Sequence, residues 1–317
     1  DLEAAVDSQR DVLVTLLAEL TRNYVELRGY QRRLSIAEEN ISTQKETFEL
    51  TQSKYQAGLI SELNVVQSRA QLSDTQSQVP VLQGSIRQTI HHLGILIGKE
   101  PGALDRELAP AQTIPLLPPQ IPVGLPSDLL KRRPDIRQAE RQLAAATARI
   151  GVAQADLFPR FSLTGSLGRR NTDFDNLTLG SSQFWGIGPA VSWPIFDAGR
   201  IRANIEVKNA LQEQALTTYE KVVLRSLEDT ENALSSYAME QIRNRSLHES
   251  VEANQRALSL SQELYIKGLA DFLNVLESQR SLYASQDLLI QSDQALALDV
   301  ISIYKALGGG WEKYLPA

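Results

Sequence analysis

YQAGLISELNVVQSRAQL, residues 55–72, and YIKGLADFLNVLESQRSL, residues 265–282, are two copies of one turn. Laid over each other without a gap they share Tyr55/Tyr265, Gly58/Gly268, Leu59/Leu269, the Leu-Asn-Val triplets at 63–65 and 273–275, Ser68/Ser278 and Leu72/Leu282. The offset is 265 − 55 = 210 residues. Long stretches of helical pattern flank each copy, so each reads as the tip at which a helical hairpin reverses direction.

Apolar residues keep a strict spacing of seven on both sides of these tips. Leu20, Leu27, Leu34, Ile41, Phe48 and Tyr55 precede the first; Val65, Leu72, Val79, Ile86 and Leu93 follow it; Val275, Leu282, Leu289, Leu296 and Ile303 follow the second. A straight helix has 3.6 residues per turn, so an apolar line at every seventh position stays against a neighbour only if the helices supercoil left-handedly. Residues 2–56 contain no proline and one glycine, Gly29, and a continuous helix there would reach roughly 80 Å. The segment from about Gly199 to Lys267 has neither in its interior and would approach about 100 Å. The fold class this predicts is mainly α, with very long coiled-coil-like helical hairpins in two structural repeats.

Composition excludes several functions. The net charge is −6 and the pI about 5.3, which leaves no basic footprint for nucleic acid. There is no cysteine, so disulfides, thiolate metal sites and a cysteine nucleophile are ruled out. No run of 18 apolar residues exists, so no transmembrane helix is expected, and nothing at Asp1 reads as a signal peptide.

In chain order, residues 1–98 read as the helical hairpin of the first repeat, with Gly98 as its C-terminal cap. Pro80 removes a backbone donor and predicts a kink or break that splits the return path into two shorter helices. Residues 99–126 hold seven of the thirteen prolines and read as an extended strap between the repeats, with Leu104, Leu108, Ile114, Leu116 and Leu117 to pack along a surface. Helix resumes over 127–158, with Ser127 as N-cap and Pro134 opening a second, alanine-rich helix. Residues 197–310 read as the long hairpin of the second repeat and 311–317 as a tail.

Over 159–196 the period changes to two. Phe161, Leu163 and Leu167 alternate with Ser162, Thr164, Ser166 and Gly168; Trp185, Ile187, Val191 and Trp193 alternate with Gly186, Gly188, Ala190 and Ser192. These are two strands of about ten residues, each with one apolar face, around a polar loop. Such a hairpin fits a membrane β-barrel or a small soluble ribbon packed on a helix. In a bilayer its open edges would need further strands, hence an oligomer, more chain, or both. Subtracting 210 from the helices and hairpin before residue 197 places their counterparts before residue 1, so the first repeat is expected to lack them in this chain.

The segment LPSDLLKRRPDIRQAERQLAAATARIGVAQADLFPRFSLTG (125–165), the run WPIFDAGRIRANIE (193–206), the two glycine-leucine tips and the tail YKALGGGW (304–311) together resemble the TolC-like outer-membrane efflux factors, in particular the OprM-like lipoprotein branch. The likeness covers essentially the whole chain. It implies a homotrimeric tube: a β-barrel of four strands per protomer in outer-membrane lipid, continued by an α-helical barrel across the periplasm of a Gram-negative cell. It implies no enzyme and no cofactor, and as partners a periplasmic adaptor and an inner-membrane pump. The branch's lipid-bearing cysteine, first hairpin and first long helix have no counterpart here, so an N-terminal lipid belongs to the parent at most.

The resemblance also assigns sites. Gly58-Leu59 and Gly268-Leu269 are expected at the adaptor-contacting tips, where glycine adopts φ > 0 and the following leucine projects; that glycine merely permits the turn is the simpler alternative. Leu273 and Glu277, four apart on one helical face, match positions that narrow the closed channel, and Arg280 matches one that holds them. Three copies of Glu277 near one axis would favour cations, whereas a solvated Glu277 paired with Arg280 at i, i+3 is the structural alternative. Gln67 and Ala70 stand at the matching places of the first tip. Phe161, Leu163, Leu167, Trp185, Ile187, Val191 and Trp193 would face lipid. His91, His92, His248, Asp135, Glu140 and the glycines at 308–310 form no ligand, catalytic or phosphate-loop pattern. The competing reading of the whole chain is a soluble periplasmic coiled-coil structural or adaptor protein that docks through its β-hairpin.

Overall fold

The computed structural model describes residues 1–115, 132–170 and 183–309. Its elements are α1 (Leu2–Gln56), α2 (Glu62–Leu96), α3 (Asp105–Leu108), α4 (Pro134–Ala155), β1 (Arg160–Arg169), β2 (Gln183–Ser192), α5 (Arg200–Ile266) and α6 (Phe272–Ala306). The cap expected at Ser127, the strap's prolines at 118–126, most of the inter-strand loop and the tail at 311–317 lie outside the described residues. Two compact units emerge, Asp1–Ser8 with Asp135–Leu224 and Gln9–Pro134 with Arg225–Ala317.

The larger unit contains the two tips. The shift of 210 found in the sequence at the tips extends to the ends of the elements: α2 spans Glu62–Leu96 and α6 spans Phe272–Ala306, while α1 and α5 end at Gln56 and Ile266. Every one of these four C-termini closes on a left-handed glycine, Gly58, Gly98, Gly268 or Gly308, with φ between 70° and 73°. At the first tip the Gly58 N–H donates to the Tyr55 carbonyl (2.8 Å) and the Leu59 N–H to the Lys54 carbonyl (2.9 Å); Gly268 and Leu269 repeat the pair on Tyr265 and Leu264. These are Schellman closures, which satisfy carbonyls that the last helical turn leaves open.

Pro80 does not break the return helix, because α2 is continuous through it. Proline forfeits only its own bond to the carbonyl four residues back. Both Pro80 and Gln76 lie on the exposed side of α2, where water replaces the missing donor.

Part of the heptad line forms the core as expected. Leu27, Ile90, Leu93 and Leu104 make one buried cluster with Leu20, Ile86 and Leu108 against it; Leu258, Phe272, Val275, Leu276 and Leu282 make another, with Val251 and Tyr265. A second seam escapes any search for apolar residues. Thr51, Ser68, Thr75, Ser226, Ser285 and Ser292 are buried hydroxyls. Thr51 and Ser68 meet across α1 and α2 at 3.0 Å, and Ser68, Thr75 and Ser285 also donate to carbonyls of their own helices. A small hydroxyl satisfied in this way lets two helices approach without an unpaired buried group.

Fully buried Arg28 anchors the chain after α2 to α1. Its Nη1 donates to Gln31 Oε1 (2.6 Å) and to the carbonyls of Leu108 (3.3 Å) and Pro110 (2.9 Å). Gln31 Nε2 adds bonds to the Leu108 and Ala109 carbonyls at 2.8 and 3.2 Å.

In the smaller unit, Ala139, Ala146 and Ala153 of α4 repeat every seven residues and are all buried, the close approach that alanine allows. Arg137 pairs with Asp7 at 3.5 Å and Arg141 with Glu3 at 3.4 Å; one partner rises by four as the other falls by four, which marks an antiparallel pair of helices. Strands β1 and β2 form a two-stranded antiparallel ribbon, Arg160 opposite Ser192 through Arg169 opposite Gln183. Among the described residues no helix is long and apolar enough to cross a membrane.

Candidate channel-forming and docking surfaces

Register sorts the ribbon into two unlike faces. On one, Phe161 lies opposite Val191, Leu163 opposite Pro189, Gly165 opposite Ile187 and Leu167 opposite Trp185. On the other, Ser162 lies opposite Ala190, Thr164 opposite Gly188, Ser166 opposite Gly186 and, at the loop end, Gly168 opposite Phe184. Phe161, Leu163, Leu167, Trp185, Ile187 and Val191 are all exposed. Trp193 follows β2 directly, is exposed, and donates its indole N–H to the Leu157 carbonyl at 3.0 Å. Water is a poor neighbour for such a sheet face, at about 25 cal/mol per Å² of apolar surface. The backbone edges of a two-stranded ribbon call for further strands.

The tips present the second surface. Leu59 and Leu269 are 72% and 73% exposed, so the two leucines project equally. A Cβ added at Gly58 or Gly268 would meet no atom within 4 Å; the glycines are there for their backbone angles alone. The tips differ in how the next helix starts. Ser61 Oγ accepts from the Leu63 N–H at 3.2 Å, whereas Asp271, with the same backbone conformation, makes no side-chain cap bond. Lys54 Nζ sits 4.0 Å from the centre of the Tyr265 ring, and Tyr265 packs on Phe272 at 5.5 Å. Burial, with the nearby Asp271 charge, pushes the Tyr265 hydroxyl above its ordinary range.

Leu273 is exposed. Glu277 and Arg280 make a 3.7 Å ion pair with side chains 63% and 49% exposed, so the i, i+3 pairing is present and the carboxylate still faces out of the protomer. Arg280 also reaches across to the other hairpin and donates from Nε to Gln71 Oε1. The sequence does not single out Gln71. Nor does it show the polar seam between α1 and α6: Thr47 Oγ1 accepts from Gln279 (2.9 Å), Asn40 donates to Gln286 (3.1 Å), and Arg33 makes a two-pronged bond to Asp287 (2.6 and 3.1 Å). These partners stand more than 230 residues apart, beyond the reach of any local pattern. Among the described residues no group of three or more His, Cys, Asp or Glu side chains is placed to hold a metal ion.

Known proteins share this architecture. The nodulation protein T of Rhizobium leguminosarum bv. trifolii is 34% identical over 310 residues, 98% of this chain and 66% of that protein. The solvent efflux pump outer membrane protein SrpC of Pseudomonas putida is 35% identical over 309 residues, 97% and 65% of the two chains. The outer-membrane channel OprN superposes with a TM-score of 0.90 at 39% identity, over 98% of this chain and 69% of that one. The open-state MtrE outer membrane channel of Neisseria gonorrhoeae superposes at 0.86 and 26% identity, over 98% and 69%. The chain thus spans about two thirds of the length of the curated relatives it matches. The family described as outer membrane efflux protein matches residues 1–99 and 125–309, and the chain belongs to that family.

Proposed function

We propose that this chain is part of the outer-membrane duct of a tripartite exporter in a Gram-negative cell, a passive homotrimeric tube that receives small solutes from an inner-membrane pump through a periplasmic adaptor. The observation that carries the reading is the ribbon: two charge-free strand interiors of ten-residue strands whose one face is entirely apolar and exposed. Transmembrane β-strands have this length and alternation. The apolar face meets lipid, the edges pair with further strands, and the face that carries Ser162, Thr164 and Ser166 lines the water-filled side.

In this reading Leu59 and Leu269 are the apolar points that the adaptor's helices cover, and Gly58 and Gly268 set their direction. Leu273 and Glu277 narrow the closed end, with Arg280 holding α6 to the first hairpin through Gln71. No step of catalysis and no cofactor enters. The pump sets which solute passes.

Membrane fractionation of the full-length protein tests the assignment: release from outer membranes only by detergent is expected, and release by salt or alkali would favour a soluble docking ribbon instead. Planar-bilayer recording tests the constriction. Glu277→Gln removes one negative charge per copy, so cation selectivity of the closed-state current is expected to fall. Arg280→Ala is expected to raise the mean conductance, because Glu277 and Gln71 both lose their link. Unchanged selectivity and conductance in both variants would remove these residues from the constriction.

A further inference from the structure

The chain does not bury its apolar side chains where the ribbon ends. Ile195 and Phe196, just beyond β2, are 83% and 91% exposed, with Phe158 and Trp193 also exposed beside them in sequence and through the Trp193–Leu157 bond. Such exposure in a loose loop would mean little. This turn is built: Asp197 accepts the Gly199 N–H on one carboxylate oxygen (3.1 Å) and the Ile201 N–H on the other (2.7 Å). Those bonds hold the Asp197 carboxyl below its usual range, with the Arg200 charge adding to the effect. The bend itself is strained, since Ala198 has φ 51° and Gly199 φ 85°; a non-glycine residue persists there only where its surroundings fix it. A fixed, strained turn therefore holds two large apolar side chains outward.

Charge tells where the turn lies relative to the apolar face. Residues 161–168 and 184–192 contain no charged residue. Charges begin at the ends: Arg160 on the helix side, paired with Asp156 at 3.3 Å, and Asp197 in the turn, with Arg200 and Arg202 exposed just after it. A ten-residue strand covers about 33 Å along its axis and, inclined at about 45°, about the 25 Å height of a barrel's apolar band. Ile195 and Phe196 follow where that band stops. Beside Ile195 a cavity of about 270 Å³ is lined by Leu157, Trp193, Pro194, Ile195 and Ile201 together with Asp197 and Arg202. Aromatic rings, an aliphatic side chain and arginines at the edge of an apolar band are the chemistry that meets the boundary between phospholipid headgroups and acyl chains.

We propose that the Ile195-Phe196 turn is a lipid-interface anchor: both side chains enter the phospholipid leaflet on the helix side of the ribbon, and Arg160, Arg200 and Arg202 face its phosphates. The inference rests on the membrane reading of the ribbon and adds a contact outside the strands.

Lipid quenching of single tryptophans separates the two. Within residues 1–317 tryptophan stands only at 185, 193 and 311, and any tryptophan elsewhere in the full-length protein is changed to Phe in every reporter. One reporter keeps Trp185 with the other two changed to Phe; two more place the single tryptophan by Phe196→Trp or Ile195→Trp. Each full-length variant is reconstituted in phosphatidylethanolamine and phosphatidylglycerol vesicles containing lipids brominated near the headgroup or deep in the acyl chain. The expected result is loss of emission at 195 and 196 with shallow bromines exceeding that with deep ones, while Trp185 is also quenched by lipid. Quenching of Trp185 with none at 195 or 196 would overturn the anchor and leave the membrane ribbon standing, with another subunit as the cover of the turn. No quenching at any of the three would overturn both.

Discussion

Leu163→Arg is expected to cost about 2–4 kcal/mol of membrane insertion per copy if position 163 sits near the bilayer midplane, and to leave most of the protein outside the outer-membrane fraction. Leu163 lies in the interior of β1 on the exposed apolar face, opposite Pro189, so an arginine there has no polar neighbour across the ribbon. Thr164→Arg, one residue on and opposite Gly188, turns to the other face and is expected to insert almost normally. The step between neighbouring residues follows from a side-chain period of two. Quantifying both variants in washed outer membranes checks it. Equal loss, or equal tolerance, would contradict a one-sided lipid face.

The second large effect concerns two glycines at equivalent places in the repeats. Gly98 and Gly308 close α2 and α6 with φ 73° and 70°. Alanine at Gly98 meets no atom within 4 Å, so Gly98→Ala is expected to cost about 1–2 kcal/mol for the left-handed backbone alone. At Gly308 the new Cβ would lie 2.9 Å from the backbone N and Cα of Arg133. That residue has little room to move: its guanidinium donates to the Ala306 carbonyl at 3.2 Å and pairs with Asp229 at 3.2 Å. Overpacking adds about 1–3 kcal/mol, so Gly308→Ala is expected to cost about 2–5 kcal/mol in total. Urea midpoints for the two variants decide this, and a Gly308→Ala midpoint no lower than that of Gly98→Ala would refute the close packing of Arg133 on the end of α6.

The same pair shows what the sequence discloses. Tips 55–72 and 265–282 share enough residues to reveal the shift of 210, and the uninterrupted stretches beside them announce the length of α1 and α5. The equivalence of Gly98 and Gly308 is hidden, because ILIGKE and KALGGG have only their left-handed glycine in common; the backbone geometry is shared although the side chains are not. Heptads of leucine and valine point to one seam of each hairpin. The seam of Thr51, Ser68, Thr75 and Ser285 is invisible to them, since these residues are chosen for size and for satisfying their own helix. Pro80 misleads for a similar reason: the rule that proline breaks helices weighs the lost donor without knowing that the site faces water.

Site residues divide along the same line. Alternation along 161–167 and 185–193 is a local property, so the ribbon's apolar face can be read directly. Leu59 and Leu269 can be read because they recur. The Arg280–Gln71 and Arg33–Asp287 contacts depend on where two distant helices meet, and Ile195-Phe196 gains meaning only with the geometry of the turn that holds it.

Site-directed labelling of the ribbon in outer membranes tests the central claim most directly; residues 1–317 hold no cysteine, and any reactive cysteine elsewhere in the full-length protein is first replaced. Single cysteines are placed in turn at Phe161, Ser162, Leu163, Thr164, Ser166 and Leu167 of the full-length protein and exposed to a charged, water-soluble maleimide. Strong labelling at 162, 164 and 166 with protection at 161, 163 and 167 is the expected result. Uniform labelling, or protection without alternation, would contradict a ribbon with one face in lipid and the other in water.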